Sequence, residues 1–276
     1  MTDQRTRAEA FRALHDGPTF VLPNPWDAGS ARVLAGLGFP ALATTSGGLA
    51  FGLGRRDGAN LVSRDETLAN IRTIADATHL PVAADLESGF GPDSADVAET
   101  IRLAAAAGAV GGSIEDATGD PRRPIFDLPE AVERVRAAVA AARALPFPFT
   151  FAARAENFLY GRPDLDDTIE RLRAYEAAGA DVLYAPGLPL DAVRRVCSSV
   201  GRPVNALAGG SAPVTVADLA AAGVRRVSLG SALARVALSA MIDAATEIHN
   251  SGTFSFAPGV RTYAQVNALW ETTENA

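Results

Sequence analysis

The stretch AGADVLY at residues 178–184 decides the fold, because it joins the alanine-rich end of a helix, a glycine and a short apolar strand. The same phrase recurs at 36–45, 106–116 and 222–230. Glycine just past a helix end supplies a left-handed cap, and the apolar run after it is typical of a strand buried on both faces. The repeated order of helix, glycine and strand therefore predicts consecutive parallel β/α units.

Apolar runs of this kind predict eight strands in all. They lie at 19–24, 41–46, 81–87, 111–116, 149–155, 181–186, 203–208 and 225–230. Helical segments separate them: Ser63 and Glu66 form a candidate capping box, and Pro129 begins a helix that runs to Ala144. Eight parallel strands alternating with helices predict an α/β fold of the (β/α)8 TIM-barrel type. A doubly wound sheet is disfavoured, because residues 24–29 do not form the GxGxxG turn that such a sheet carries after its first strand.

The division of the chain follows from the barrel. Residues 1–250 are expected to form it, and residues 251–276 a C-terminal extension. The apolar Val266, Leu269 and Trp270 of that extension have little left to bury against in a monomer, so we expect them to pack on a partner subunit. We see no linker or shift in composition that would mark a second domain.

Composition excludes several classes of partner. The chain has 276 residues, 48% of them hydrophobic, and a net charge of −7. That charge disfavours nucleic acid and anionic membranes as partners. A single cysteine, Cys197, leaves no internal disulfide framework. The polar N-terminal residues and the lack of an apolar run near the ~18 residues of a membrane helix predict a soluble, cytoplasmic protein.

The third predicted strand and its end, PVAADLESGFG at 81–91, carry two carboxylates. Successive strand side chains alternate between faces, so Asp85 and Glu87 are expected to point the same way with Cα atoms roughly 6.5 Å apart. This separation suits a hydrated divalent cation, bound directly by one carboxylate and through water by the other. Oxygen ligands without a nearby histidine favour Mg²⁺, or Mn²⁺, over zinc.

The other strand ends extend this site, because the active site of a TIM barrel lies at the C-terminal ends of its strands. Acidic side chains follow strands two, three and four, and one arginine, Arg154, follows strand five. A metal bound to the carbonyl and carboxylate oxygens of a ligand would stabilise negative charge developing next to it.

Several of these motifs, in this order, resemble those of the isocitrate lyase / phosphoenolpyruvate mutase superfamily. DLESGFG at 85–91 looks like its D-x-D-x-G-[FY]-G motif, PNPWDA at 23–28 like its first-strand motif, and TSGG at 45–48 like its carboxylate-binding loop. The resemblance implies a metal shell of Asp57, Asp85, Glu87 and Glu115. It implies substrate contacts from Ser46, Gly47, Gly48, Asp85, Arg154 and Asn205, with Arg154, Glu115 and Asp57 as the catalytic set.

The resemblance also implies a function and an assembly. It implies Mg²⁺ chelated by a small 2-oxo acid, such as oxaloacetate or 2-oxoglutarate, and a C–C bond made or broken next to the carbonyl through an enolate. It further implies an eighth helix that swaps between subunits of a homodimer or homotetramer. A P–C bond enzyme of the mutase or phosphonopyruvate hydrolase type is the second interpretation, and a 2-oxo acid binding protein without turnover is the third.

The chain departs from the family pattern after strand four. Residues 117–127 contain neither the Lys-Lys-Cys-Gly-His loop of the lyases nor the Lys and Asn of P–C bond enzymes. Ala185 and Pro186 follow strand six where lyases favour a glutamate, and Glu87 replaces an aspartate. Loop 117–128 is a candidate lid, although Arg122 and Arg123 in it are also typical of a solvated face. Two predicted site residues have plainer interpretations: Asp57 as a turn former, and Glu115 as the ion-pair partner of Arg154.

Overall fold

A computed structural model describes residues 3–210 and 213–271 and confirms the (β/α)8 barrel. All strand pairs are parallel, in the order β1-β8-β7-β6-β5-β4-β3-β2. The backbone N–H of Ala43 donates to the carbonyl of Pro23 at 3.0 Å, which joins the two ends of the sheet. The strands are β1 (Phe20–Leu22), β2 (Leu42–Ala43), β3 (Val82–Asp85), β4 (Gly111–Glu115), β5 (Thr150–Arg154), β6 (Val182–Tyr184), β7 (Val204–Leu207) and β8 (Arg226–Ser228).

Helices alternate with these strands and surround them. They are α1 (Gln4–Leu14), α2 (Ala28–Gly36), α3 (Ser46–Gly52), α4 (Arg64–Asp76), α5 (Ser94–Ala106), α6 (Leu128–Arg143), α7 (Leu165–Ala177), α8 (Leu190–Ser199), α9 (Val216–Ala221), α10 (Ala232–Ser251) and α11 (Tyr263–Glu271), with a 3-10 turn at Ala257–Gly259. The predicted capping box is present at the start of α4, where Ser63 and Glu66 satisfy each other's backbone N–H groups.

Each strand is shorter than its sequence prediction, and two of the differences affect the site. Strand β3 ends at Asp85, and Glu87 lies beyond it with a left-handed φ of 47°. Alternation along a strand therefore does not relate Asp85 to Glu87, contrary to our prediction. Strand β2 ends at Ala43, and the stretch expected to be a loop begins with α3, whose N-cap Thr45 accepts a hydrogen bond from the N–H of Gly48 at 3.2 Å.

The N-terminal end of the barrel is closed by α1. Its Phe11 is fully buried and packs in one cluster with Phe20, the first residue of β1. A side chain at Gly111, where β4 begins, would lie 2.7 Å from the Phe11 ring, so this position requires glycine. The ring of His15 lies edge-on to both phenylalanines, with centroid distances of 5.0 and 5.2 Å. The open end of the barrel is therefore the C-terminal one, where the site was predicted.

The C-terminal helices differ in how they pack. Helix α10 is largely exposed, including the apolar Val236, Met241 and Ile242, whereas its Ala234 is buried. Helix α11 lies against α2 of the same chain, with the ring of Trp270 close to Gly29. Exchange of the eighth helix between subunits, and packing of residues 251–276 on a partner, stay predictions. In the described part of the chain, no helix is long and apolar enough to cross a membrane.

Candidate active site

One row of residues crosses five neighbouring strands and defines the site. Arg226 of β8 is in register with Asn205, Asn205 with Tyr184, Tyr184 with Arg154, and Arg154 with Glu115. Because the strands of a barrel are tilted, such a row runs obliquely from one end of the barrel towards the other. A cavity of about 210 Å³ is lined by four of these side chains together with Ser46, Gly47, Asp57 and Asp85. Tertiary structure therefore brings most of the predicted site residues together.

Arg154 is the electrostatic centre of this cavity. Its Nη1 lies 3.1 Å from Oδ1 of Asp85, its Nη2 3.1 Å from Oε2 of Glu115, and its Nε 2.9 Å from Oε1 of Glu156. The guanidinium also stacks over the ring of Tyr184, 5.0 Å from the centroid. Sequence reasoning missed Glu156, although its position two residues after Arg154 at a strand end was a usable signal.

Asp85 connects Arg154 to the glycine-rich start of α3. Its Oδ2 accepts a hydrogen bond from the N–H of Ser46 at 3.0 Å, and its own N–H donates to Oγ1 of Thr44 at 2.9 Å. The Ser46 amide, predicted to hold a substrate carboxylate, is thus bonded to Asp85 here. Because this contact fixes the end of β3 against α3, the Asp85 carboxylate faces the cavity in a defined orientation.

Asp57 and Glu87 add negative charge beside Asp85. Burial raises the pKa of Asp57, and the charge of Asp85 raises it further. Burial, followed by the charges of Asp85 and Asp57, raises the pKa of Glu87 to about 7. The carbonyl of Glu87 accepts from the N–H of Glu115 at 2.9 Å, which keeps the turn after β3 beside β4. Its side chain also lines a neighbouring cavity of about 700 Å³ with Phe90 and Phe126.

The carboxyl groups of Glu115 and Glu156 flank Arg154; Glu156 is buried, and the side chain of Glu115 is 15% exposed. Burial raises the pKa of both groups, that of Glu115 to well above its usual value, and the charge of Arg154 opposes the rise. Two carboxyl groups that share one arginine titrate together, so the charge of each depends on Arg154 as well as on burial.

Divalent-metal binding was predicted for Asp57, Asp85, Glu87 and Glu115. Within residues 3–210 and 213–271, no group of three or more metal-ligating side chains is arranged to hold an ion, and Asp85 and Glu115 both contact Arg154. The donor set nevertheless fits Mg²⁺. Asp57, Asp85 and Glu87 offer only oxygen atoms as ligands. Their negative charges repel one another, as the raised pKa values of Asp57 and Glu87 indicate, and a bound cation would reduce this repulsion.

Positions 47 and 48 require glycine because neighbouring atoms lie too close for a side chain. A Cβ at Gly47 would lie 2.7 Å from Oδ2 of Asp57, and one at Gly48 would lie 2.6 Å from Cγ2 of Thr45 and 2.9 Å from Cβ of Trp26. The absence of side chains here lets the start of α3 approach the acidic cluster. Ser46 and Gly47 both line the cavity, and the Ser46 N–H is already bonded to Asp85.

Asn205, the last predicted substrate contact, is engaged within the protein. Its Oδ1 accepts from Nε of Arg226 at 2.8 Å, and its Nδ2 donates to Oγ of Ser228 at 2.9 Å. Asn205 therefore orients Arg226, a residue that sequence reasoning overlooked. The signal for it was an arginine alternating with Ser228 in a buried strand, where arginine is seldom found.

The loop after β4 is held by ion pairs and by two buried residues. Ala117 forms an antiparallel bridge with Ile125, which is buried. Arg122 pairs with Asp120, and Arg123 with both Asp127 and Glu130. Both arginines are exposed, as expected for a solvated face; closure of the loop over a substrate stays a prediction.

Asp116, just after Glu115, has a structural role. It is buried and accepts hydrogen bonds from Nη1 of Arg171 at 3.0 Å, the Tyr175 hydroxyl at 2.7 Å and the N–H of Glu156 at 2.8 Å. These contacts tie the ends of β4 and β5 to α7. They keep Glu115 and Glu156 on the two sides of Arg154.

Comparison with known proteins gives consistent matches. A sequence model of the family described as phosphoenolpyruvate phosphomutase matches residues 11–249. An oxaloacetate decarboxylase from Bradyrhizobium diazoefficiens is 33% identical over 192 residues, 67% of this chain and 64% of that protein, so the match spans less than two thirds of the relative's length.

Two solved structures extend the comparison to nearly the whole chain. One from Burkholderia cenocepacia, described provisionally as a lyase or mutase, is 56% identical, covers 97% of both chains and has a TM-score of 0.95. An oxaloacetate acetylhydrolase in complex with its product oxalate is 27% identical, covers 95% of this chain and 93% of its own, and has a TM-score of 0.84.

Proposed function

The chain belongs to the phosphoenolpyruvate phosphomutase family, an enzyme family within the superfamily that the motifs resemble, and from this we propose its reaction. We propose a Mg²⁺-dependent enzyme that breaks or forms a C–C bond next to the carbonyl of a small 2-oxo acid, with an oxaloacetate-like acid as first candidate. Support comes from the matched oxaloacetate decarboxylase and oxaloacetate acetylhydrolase.

The observation that carries this proposal is the concentration of carboxylates around Asp85. The charge of Asp85 raises the pKa of Asp57 and that of Glu87, and Arg154 already contacts three carboxylates. An anionic substrate would be repelled from such a site unless a cation joined it. A Mg²⁺ ion held by these carboxylates would supply positive charge at the 2-oxo group, where negative charge develops as the adjacent bond breaks.

The chain's own residues have distinct tasks in this scheme. Arg154 orients Asp85 and Glu115 through two of its nitrogen atoms. The backbone N–H of Gly47 would offer a hydrogen bond to the carboxylate beside the carbonyl, because the N–H groups of Ser46 and Gly48 already donate to Asp85 and Thr45. Cleavage of a C–C bond leaves an electron pair that must be protonated, and Glu115, whose burial keeps its pKa high, is the candidate donor.

A P–C bond enzyme is the second candidate, because the matching family model is that of a phosphomutase. The loop after β4 argues against it. Its exposed surface is formed by arginines that pair with acids of the loop and of α6, and it carries neither the Lys nor the Asn of such enzymes.

The test is binding and turnover by the full chain with and without Mg²⁺. We expect oxalate and oxaloacetate to raise the melting temperature only when Mg²⁺ is present, and oxaloacetate to be consumed. Asp85→Asn should abolish both effects because it removes the negative charge that contacts both Arg154 and Ser46 and that would bind the metal. The matched control is Asp16→Asn, an exposed aspartate just after α1, at the closed end of the barrel.

Three outcomes separate the alternatives. Mg²⁺-dependent ligand binding that survives Asp85→Asn would refute the site assignment. Stabilisation by 2-oxo acids without turnover of oxaloacetate, 2-oxoglutarate or phosphonopyruvate would establish a binding protein. Release of phosphate from phosphonopyruvate would favour the P–C bond enzyme.

A further inference from the structure

Arg226 is a buried arginine without an acidic partner. It is 5% exposed and begins strand β8 inside the barrel. Its Nε donates to Oδ1 of Asn205 at 2.8 Å, and within the described residues it forms no ion pair and no hydrogen bond from its two Nη atoms. Those two nitrogen atoms are the part of the side chain that could receive a ligand.

In the described chain, the other arginines inside the protein use their Nη atoms for contacts within the protein, although Nε of Arg134 has no partner. Arg154 contacts three carboxylates, and Arg171 contacts Asp116 and a second aspartate. Arg134 donates to three backbone carbonyls. Burying a cation without a partner costs free energy. A buried arginine that has no ion pair within the protein is therefore expected to bind an anionic ligand reversibly.

The electrostatics of Arg226 agree with this view. Burial lowers its pKa to about 10, the charge of Arg154 lowers it as well, and Tyr184 raises it. No carboxylate of the described chain is among the groups that raise it. The guanidinium remains charged at neutral pH, and its field lowers the pKa of His15 at the closed end of the barrel.

Position within the cavity indicates what the arginine can reach. Arg226 is in register with Phe20, against which α1 packs, so it lies at the floor of the barrel. It lines the same cavity of about 210 Å³ as Ser46 and Asp85, which lie at the C-terminal ends of β2 and β3. The cavity, of about 210 Å³, has enough space for one small organic acid.

Arg154 cannot easily serve a second anionic group of the ligand, because each of its three nitrogen atoms faces a carboxylate. An incoming carboxylate would have to displace one of them. Arg226 offers two free donors in the fork geometry that suits a carboxylate. The small residues Ala43, Ala83 and Gly112 line the cavity together with Arg226.

We propose that Arg226 binds the distal carboxylate of a 2-oxo dicarboxylate, so that the cavity has two anion subsites, one near Asp85 and one at the floor. This inference rests on the proposed function and adds a specificity determinant to it. The enzyme should therefore prefer a dicarboxylate over a monocarboxylate of the same length.

The experiment compares oxaloacetate with 2-oxobutyrate, which has the same chain length and lacks the distal carboxylate, using the full chain with Mg²⁺. Arg226→Met should raise the KM for oxaloacetate by about 10- to 100-fold, the loss expected for a charge-assisted hydrogen bond. The affinity for 2-oxobutyrate, read as a thermal shift, should stay unchanged. Arg226→Lys should restore part of the preference, because it returns the charge without the fork.

The matched control is Arg225→Met, the same substitution one residue earlier, on a side chain that does not line the cavity. This substitution should leave the affinity for both ligands unchanged. Melting temperature supplies an independent readout. Arg226→Met leaves Oδ1 of Asn205 without its donor, which lowers stability, and removes a buried cation without an acidic partner, which raises it, so the melting temperature should change little, whereas loss of a structural arginine would lower it strongly.

Several results would overturn the inference. Equal weakening of oxaloacetate and 2-oxobutyrate in Arg226→Met, together with a lower melting temperature, would make Arg226 a structural residue and leave the proposed function standing. A selective loss of phosphonopyruvate binding would assign the subsite to a phosphonate. Failure of the unmodified protein to bind either 2-oxo acid with Mg²⁺ would remove the proposed function, and the dicarboxylate subsite with it.

Discussion

Replacing Gly48 by alanine tests the close packing that brings the start of α3 to the acidic cluster. The new Cβ would lie 2.6 Å from Cγ2 of Thr45 and 2.9 Å from Cβ of Trp26, so at least one of these residues must move. Overpacking of this kind costs about 1–3 kcal/mol, and alanine in a helix recovers about 0.4–1 kcal/mol. Movement of Thr45 would also weaken the N-cap hydrogen bond that it accepts from residue 48, a loss of about 1 kcal/mol.

The net expectation is a loss of roughly 1–3 kcal/mol, which lowers the melting temperature by roughly 2–10 °C. Gly52→Ala is the matched control, because Gly52 ends the same helix and its Cβ would meet nothing within 4 Å. That change should raise the melting temperature by roughly 1–4 °C. Scanning calorimetry of both variants decides the matter. A rise in both would show that Thr45 and Trp26 do not hold the start of α3 as described.

Two further predictions concern stability. Burial lowers the pKa of His15 to about 3, below its ordinary 6.5. Between pH 3 and pH 6.5, His15 is therefore protonated in the unfolded chain and neutral in the folded chain. The contribution of neutral His15 to stability should be complete above pH 6.5 and fall with decreasing pH by at most about 1.4 kcal/mol per unit, a slope that His15→Leu should remove from the pH dependence of urea unfolding. Asp116→Asn should cost about 3–5 kcal/mol because it leaves the buried Arg171 with only the partly exposed Asp167 and weakens three buried hydrogen bonds, whereas Tyr175→Phe should cost only about 1.5–3 kcal/mol, the value of one hydrogen bond to a charged group. Equal losses in these two variants would contradict the assignment of a charge pair.

The charge balance of the cavity explains why its residues depend on one another. Arg154 stands between Asp85, Glu115 and Glu156, and burial raises the pKa of the two glutamates. Positive charge supplied by a bound cation would change how these carboxyls share their protons, because each feels the field of the others. Binding of a metal and of an anionic substrate should therefore be strongly linked, each strengthening the other.

Chain sequence alone determined the architecture and the location of the site. The helix, glycine and strand phrase is a local pattern, because caps, turns and periodicity depend on residues within one or two helical turns of each other. The C-terminal ends of such strands meet in space whatever the details of packing. Asp57, Asp85 and Arg154 could for that reason be assigned to one cavity from their positions after strands, and the structure places all three there.

Tertiary structure decided which of these groups touch and what charge they carry. The end of β3 at Asp85 placed Glu87 in a turn, and the pairing of β5 with β4 set Glu115 beside Arg154. Arg226 meets Asn205 only because β7 and β8 pair in one register, and it faces a cavity shared with Asp85, which lies 141 positions earlier in the chain. Tilt and register of the closed barrel set these contacts, and burial sets the pKa values, so neither follows from neighbours along the sequence.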